Sequence, residues 1–445
     1  MMAVKPVLLW SDILLFALLA ATLCGALWSW HSAPMRTHWQ RLGQSRSGMA
    51  AATVLALFVV VGVLDSLHYR APLAARGDGP QAWSVEVLSA LDGLLMPLKT
   101  RTEKTYSAPL ATHMFAKEAV EGGSGRDFPR LTHGGAHLGE RPDGHAADLA
   151  QTGLAGVAGG LAAWLVLAWI FRGAGEGLRA VRWTLLAVCL IAGPAVALAG
   201  DYHVLGTDKV GQDVLYLALK SIRTGLLIGT LTTLVTLPLA VLLGILAGYA
   251  GGWLDDAIQY LYTTLNSIPG VLLIAAAVLM MQVVIDSHPD AFSTAAERAD
   301  ARLLALCFIL GMTSWTGLAR LLRGETLKLR ELDYVQAAQA FGVSRLAIMG
   351  RHILPNVGHI VLIALVMDFS SLVLAEAVLS YVGIGVDPTT VSFGTMINAA
   401  RMELARDPMV WWSLAAAFGF MFALVLAANL FADAVRDAFD PRATR

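Results

Sequence analysis

The sequence predicts an all-α integral membrane protein, a polytopic helical bundle of about nine transmembrane helices. The chain has 445 residues, of which 56% are hydrophobic and only 15% charged, with a mean hydropathy of +0.62. A soluble domain carries nearer ~25% charged residues. The apolar residues gather into runs of roughly 18 or more, the length a helix needs to cross the hydrocarbon core. Three basic loops fall on one side of such an arrangement, which gives an orientation and supports the count.

The runs lie at about 8–30, 47–66, 150–171, 182–200, 222–250, 260–285, 302–319, 357–380 and 409–432. The fifth and sixth are long enough to include an interfacial turn. Loop 31–48 holds Arg36, Arg41 and Arg46 and no acid. Loop 172–182 holds Arg172, Arg179 and Arg182 against Glu176, and the stretch after the seventh run holds Arg320, Arg323, Lys328, Arg330, Arg345 and Arg351 against Glu325, Glu331 and Asp333. With nine spans these three fall on the same side, the cytoplasmic one, so the C-terminus is expected inside and the N-terminus outside. Removing the first run as a signal peptide would break that parity, and Ala21-Thr22-Leu23-Cys24 is a poor lipoprotein cleavage site.

Residues 67–149 form one polar, charge-balanced segment expected outside the membrane. Gly122, Gly123, Gly125, Gly134 and Gly135 with Pro129 and Pro142 give it a loop-rich character, and Val87 to Leu98 holds enough apolar residues for one short helix. His113, His133, His137 and His145 match no metal-ligand spacing, and solvated loop histidines are commoner than ligands. The three cysteines sit in apolar runs, so no disulfide framework or zinc site is expected. A net charge of −1 gives no footprint for nucleic acid. The tryptophans Trp28, Trp30, Trp164, Trp253, Trp411 and Trp412 fall near span ends, where aromatic anchors need no ligand.

One charged, amphipathic stretch interrupts the apolar chain. Over 331–356, Leu332, Val335, Ala338 and Phe341 recur at helical spacing. Gly342 can take a positive φ and turn the chain, Ser344 can cap a second short helix with the stripe Leu346, Met349 and Ile353, and Pro355 suits the first turn of the next span. Helix, glycine turn, helix, proline and span make a rigid knuckle at the membrane surface. These residues resemble the EAA coupling loop of ABC importer permeases: Gln336-Ala337-Ala338, Gly342 and Leu354-Pro355 stand where that motif has Glu-Ala-Ala, Gly and Leu-Pro.

From about 180 to 442 the chain is similar to the C-type permease of the dipeptide, oligopeptide and nickel importer family. His203-Val-Leu-Gly-Thr-Asp208-Lys-Val-Gly211-Gln-Asp213 resembles that family's His-Pro-Leu-Gly-Thr-Asp-x-x-Gly-Arg-Asp, with Val204 and Gln212 as departures. Gly248-Tyr-Ala-Gly-Gly-Trp-Leu-Asp255 resembles its short cytoplasmic turn and Ser267-Ile-Pro269-Gly270 its proline kink. Ser314-Trp315 and Arg320 resemble the approach to the coupling loop, and Leu374-Ala-Glu376-Ala-Val-Leu-Ser380 with Gly383 and Gly385 the end of the next span. Pro388-Thr-Thr-Val-Ser392-Phe393-Gly394-Thr-Met396 resembles the external re-entrant loop, with Phe for the usual Trp, and Asp437-Ala-Phe-Asp-Pro441-Arg442 the C-terminal signature.

The resemblance implies a core of six spans (180–442), preceded by an extension with two spans (1–66), the external segment 67–149, and a third extension helix with its loop (150–179). It implies a second permease subunit, one or two ATPase subunits carrying Mg–ATP, and a periplasmic substrate-binding protein, in a bacterial inner membrane. The chain itself has no Gly-x-x-x-x-Gly-Lys-[Ser/Thr] phosphate loop, so it is not expected to be an enzyme or to hold a cofactor. Peptides are the expected substrate, with nickel or another small solute as the alternative. A more distant alternative is an ion-coupled secondary transporter, which would need ionisable groups on several spans, and the sequence offers mainly Asp368. Asp368 either lines the translocation path and attracts a cationic group or makes an interhelical hydrogen bond. Glu376, near the outer interface, is expected to make a structural contact. Asp12 and Asn429 read as helix contacts.

Overall fold

A computed structural model describes residues 5–31, 33–73, 83–119, 126–139, 144–173, 175–292 and 294–439. The glycines at 122, 123 and 125, Pro142, and Asp440-Pro441-Arg442 of the C-terminal signature lie outside the described residues. The helices in chain order are α1 (Trp10–His31), α2 (Ala33–Gln44), α3 (Arg46–Ser66), α4 (Ala90–Leu94), α5 (Met96–Thr100), α6 (His145–Ile170), α7 (Glu176–Leu198), α8 (Val214–Ala250) and α9 (Gly252–Ser267). They continue with α10 (Gly270–Ser287), α11 (Ala295–Ser314), α12 (Thr316–Arg330), α13 (Asp333–Ala340), α14 (Arg345–Ile348), α15 (Leu354–Val382), α16 (Phe393–Arg401) and α17 (Trp412–Phe439).

Among the described residues, eight helices or continuous helix pairs are long and apolar enough to cross a membrane: 46–66, 145–170, 176–198, 214–250, 270–287, 295–330, 345–382 and 412–439. The first predicted run forms α1, whose apolar part Trp10–Gly25 is shorter than the other eight. The sixth run, expected at 260–285, is corrected. Its helix stops at Ser267 and restarts at Gly270, because Pro269 cannot donate the ladder hydrogen bond and caps α10 instead. Residues 87–98 do not form one helix. A two-residue strand precedes α4 and α5, and a capping box at Ser89 and Asp92 fixes the turn between strand and helix.

The chain packs as two compact units, 1–12 with 40–225 and 390–427, and 13–39 with 226–389 and 428–445. In the first, strands Lys5–Val7, His68–Arg70 and Leu88–Ser89 pair antiparallel in that order, and Glu118–Ala119 pairs with Arg126–Asp127. The helices α6 and α7 lie in contact along most of their length. Small residues permit this approach: a methyl group on Gly160 would run into the Cys189 carbonyl oxygen. A core of Leu98, Tyr106, Val214, Leu217, Met396, Val410 and Trp412 joins the polar segment to α8, α16 and α17. Trp412 is thus a core residue instead of the interfacial anchor its position suggested, and its Nε1–H donates to the Thr207 carbonyl at 2.9 Å.

The second unit has two apolar cores. One gathers Leu227, Ile228, Leu231, Leu303, Leu306, Ile309 and Leu310 where α8 meets α11. The other gathers Ala240, Ile245, Tyr249, Tyr262, Trp315, Leu322, Val335, Ile348 and Ile353. The hydroxyls of Thr233 and Thr236 on α8 donate to the carbonyls four residues back, at 2.7 and 3.0 Å, so polar side chains are satisfied within an apolar helix.

Candidate functional site

The stretch 331–356 folds as the helix–turn–helix its sequence predicts. The helix α13 ends in a Schellman turn: Gly342 takes φ +78°, Val343 N–H reaches the Ala338 carbonyl at 3.1 Å, and Gly342 N–H reaches Gln339 at 3.0 Å. Ser344 Oγ caps α14 by accepting from Ala347 N–H at 3.4 Å. A π-helical turn at Met349–Ile353 then leads into α15, with Pro355 in its first turn.

The expected apolar stripes are divided between two environments. Val335, Ile348 and Ile353 have no exposed surface and seat the knuckle in the core. Phe341 is 88% exposed and Leu346 79% exposed, so these two do not pack on the knuckle as their helical spacing suggested. They form an apolar tip beside the half-exposed Val343. Gln336 and Ala337 are also exposed, Ala338 is half-buried, and Gln336 Nε2 donates to the Glu331 carbonyl at 3.3 Å. The neutral side chain at this position makes a backbone hydrogen bond where a carboxylate could have made an ion pair.

Polar links brace the base. Asn356 Nδ2 donates to Tyr334 Oη at 3.2 Å, tying α13 to α15. Arg323 makes a two-pronged pair with Asp255 at 2.6 and 2.7 Å, and these bonds hold the Asp255 carboxyl below its usual range. The Arg320 guanidinium lies 5.1 Å from the centre of the Tyr262 ring.

Of the two carboxylates placed on α15, Glu376 is buried and accepts from Ser380 Oγ at 2.6 Å, a structural contact as expected. Asp368 is half-buried, and its carboxylate makes no hydrogen bond or ion pair among the described residues. The interhelical hydrogen bond considered for it is therefore not found among the described residues.

The residues Asp208, Gly211 and Asp213 lie in a knot that the sequence did not reveal. His203 Nδ1 is 2.8 Å from Asp213 Oδ2, and its Nε2 is 3.5 Å from Glu103 Oε1, an ion-pair contact longer than a well-made hydrogen bond. Glu103 also accepts from the backbone N–H groups of Thr132, His133 and Gly134 at 2.7–3.2 Å. Burial alone would raise the Glu103 carboxyl, but His203 and the three N–H groups outweigh it and hold it down to about 2. Burial would likewise favour neutral His203, yet Asp213 and Glu103 lift it to about 9. Asp208 is raised by burial and accepts from Val210 and Gln212 N–H at 3.0 and 2.8 Å. Gly211, at φ +78°, backs directly onto the Glu103 carbonyl, leaving no room for a side chain. Asp213 Oδ1 caps α8 by accepting from Leu215 N–H at 2.9 Å. Ser392 and Thr395 form a capping box at the start of α16, burying Phe393, with Gly394 buried in the first turn.

Of the histidines of the polar segment, His137 and His145 both pack against the Tyr202 ring, with centres 5.7 and 5.5 Å away. His137 Nε2 is 3.0 Å from Asp148, and His145 Nε2 is 3.0 Å from the Leu110 carbonyl. Sequence reasoning also missed a cluster of buried charges where Lys220 and Arg223 of α8 meet Asp12, Asp65 and Asp92. Its signal was two cations three residues apart in an apolar helix, where an uncompensated charge costs roughly 2.5–3.5 kcal/mol and needs a partner.

Several apolar helices of membrane-crossing length and a braced knuckle with an apolar tip fit a multi-pass transport protein. Residues 240–445 match the family model described as the binding-protein-dependent transport system inner membrane component. The chain is 31% identical over 242 residues to the oligopeptide transport system permease protein OppC of Mycobacterium bovis, covering 54% of this chain and 77% of that one. It is 32% identical over 242 residues to the glutathione transport system permease protein GsiD of Pectobacterium atrosepticum (54% and 73%), and 31% identical over 244 residues to the dipeptide transport system permease protein DppC of Lactococcus lactis (55% and 65%). The chain belongs to this family: it is the permease subunit of an ABC importer, a multi-pass membrane protein that works with other components of such a system.

Proposed function

We propose that this permease forms half of a translocation path for peptides or similar small solutes delivered by a periplasmic binding protein. A second permease subunit forms the other half, and one or two ATPase subunits supply Mg–ATP hydrolysis from the cytoplasm. The named substrates of the relatives, oligopeptides, dipeptides and glutathione, support the peptide class. In this reading residues 180–442 are the permease core in an inner membrane, the knuckle and C-terminus face the cytoplasm, and the N-terminus faces the periplasm.

The observation that carries the reading is the contrast between the base and tip of 331–356. A surface loop of no consequence would not seat three fully buried side chains in the core while holding Phe341 and Leu346 in solvent. Gln336, Ala337, Ala338, Gly342, Leu354 and Pro355 shape that knuckle. Closure of the ATPases on ATP would move it and shift the population between inward- and outward-open spans. Asp368, without a side-chain partner among the described residues, would then line the path and attract a cationic group such as a peptide amino terminus.

Purification of the tagged protein from its own cell in mild detergent, with mass spectrometry of what accompanies it, tests the reading. The expected result is a P-loop ATPase and a second permease. A binding protein recovered with them, once screened for its ligand, names the substrate. Absence of any ATPase even after crosslinking contradicts the proposal.

A further inference from the structure

Tyr216, Lys220 and Arg223 occupy one face of the first turns of α8, spaced four and three residues apart. Their side-chain partners come from the first 92 residues of the chain. Arg223 donates to Asp12 Oδ1 at 2.6 Å and to the hydroxyls of Ser11 and Ser66 at 3.1 Å. Lys220 Nζ lies 2.7 Å from Asp65 Oδ1 and 3.1 Å from Asp92 Oδ1. Tyr216 Oη donates to Asp92 Oδ1 at 2.7 Å, Ser89 Oγ donates to Asp65 at 2.7 Å, and His68 Nδ1 sits 2.7 Å from Asp12 Oδ2. Asp12, Asp65 and Asp92 are all buried.

The three acids come from three places: the start of α1, the end of α3, and the capping box of α4. Each is of little use alone, since a buried carboxylate without a cation is expensive. Together they match two cations that α8 would otherwise expose to an apolar surrounding. Charges buried this way specify register: only one placement of α1, α3 and α4 against α8 satisfies all of them.

We propose that the N-terminal extension, with the segment that follows it, is a permanent clamp on α8, the second span of the core, locked to Lys220 and Arg223 by Asp12, Asp65 and Asp92. It is then a working part of the permease instead of a detachable anchor, and α8 depends on it to keep two charges paired.

Thermal denaturation of the full-length protein in mild detergent, followed by fluorescence-detected size exclusion, tests the lock. Lys220→Met takes the cation from Asp65 and leaves Asp92 only the more distant Lys99, at 3.9 Å, and is expected to lower the midpoint by on the order of 10 °C. Adding Asp65→Asn and Asp92→Asn to Lys220→Met removes the stranded charges and is expected to recover most of that loss. If Lys220→Met alone yields no folded peak, a folded peak from the triple variant supports the lock equally. A midpoint for Lys220→Met equal to that of the unsubstituted protein, or a triple variant no more stable than the single one, overturns it.

Discussion

Glu103 illustrates how one side chain can join distant pieces of sequence. Its carboxylate gathers three backbone N–H groups of 132–134 and faces His203, thirty and a hundred residues away respectively. The paired shifts give this knot a definite pH dependence. Glu103 is held down to about 2 from an ordinary 4.5, so its contribution is complete above pH 4.5 and is lost as pH falls through about 2. His203 is lifted to about 9 from an ordinary 6.5, so its contribution is complete below pH 6.5 and is lost as pH rises through about 9. Melting midpoints of the detergent-purified protein should therefore be flat between pH 4.5 and 6.5 and fall on either side. Glu103→Gln should cost about 3 kcal/mol at pH 6, since it replaces one accepting oxygen by an NH2 facing backbone N–H and leaves the buried imidazolium with Asp213 alone, and should shallow the alkaline fall. A midpoint that climbs from pH 6.5 to 9 would contradict the assignment. None of this was readable beforehand. The sequence showed His203 and Asp213 within a family motif, but Glu103 lies in a segment with no periodicity, and only folding brings it near.

At the scale of elements, the knuckle 331–356 was legible and its burial was not. Glycine, serine and proline announce a turn, a cap and a helix start by backbone chemistry alone, and each is found where expected. Helical spacing cannot say which side of an amphipathic helix meets core and which meets a partner, so Phe341 and Val335 looked alike in sequence. Gly342→Val should strain the positive-φ turn by about 1–2 kcal/mol and weaken ATPase capture while leaving the size-exclusion profile of the permease intact. Unchanged ATPase capture by that variant would show that the turn is not needed for docking. The α6–α7 pair makes a separate prediction. Gly160→Leu cannot be accommodated against the Cys189 carbonyl, so it should force the helices apart and lower the yield of folded protein several-fold, whereas Gly159→Leu, which meets nothing, should not. Equal yields from the two would mean the close approach is dispensable.

For the whole molecule, apolar runs marked where the helices lie because a bilayer forces backbone groups to pair within helices, but of nine expected spans eight are long and apolar enough to cross among the described residues, and the apolar part of α1 is shorter. The departures have local causes: Pro269 splits one run, and the polar face of α8 lengthens another to Val214. What the sequence withheld was why the extension is there. Asp12 read as a helix contact, because its partners Arg223 and His68 are more than fifty residues away in either case. The chain's place among ABC importer permeases rests on its relatives and its fold, whereas the proposed coupling to an ATPase through residues 331–356 is argued from the exposed tip. A photo-crosslinking amino acid at position 341, illuminated in the protein's own cell, tests that most directly. The expected result is a crosslinked product containing a P-loop ATPase, lost in the Leu346→Asp variant. Crosslinks to lipid alone, or to no protein at all, would contradict it.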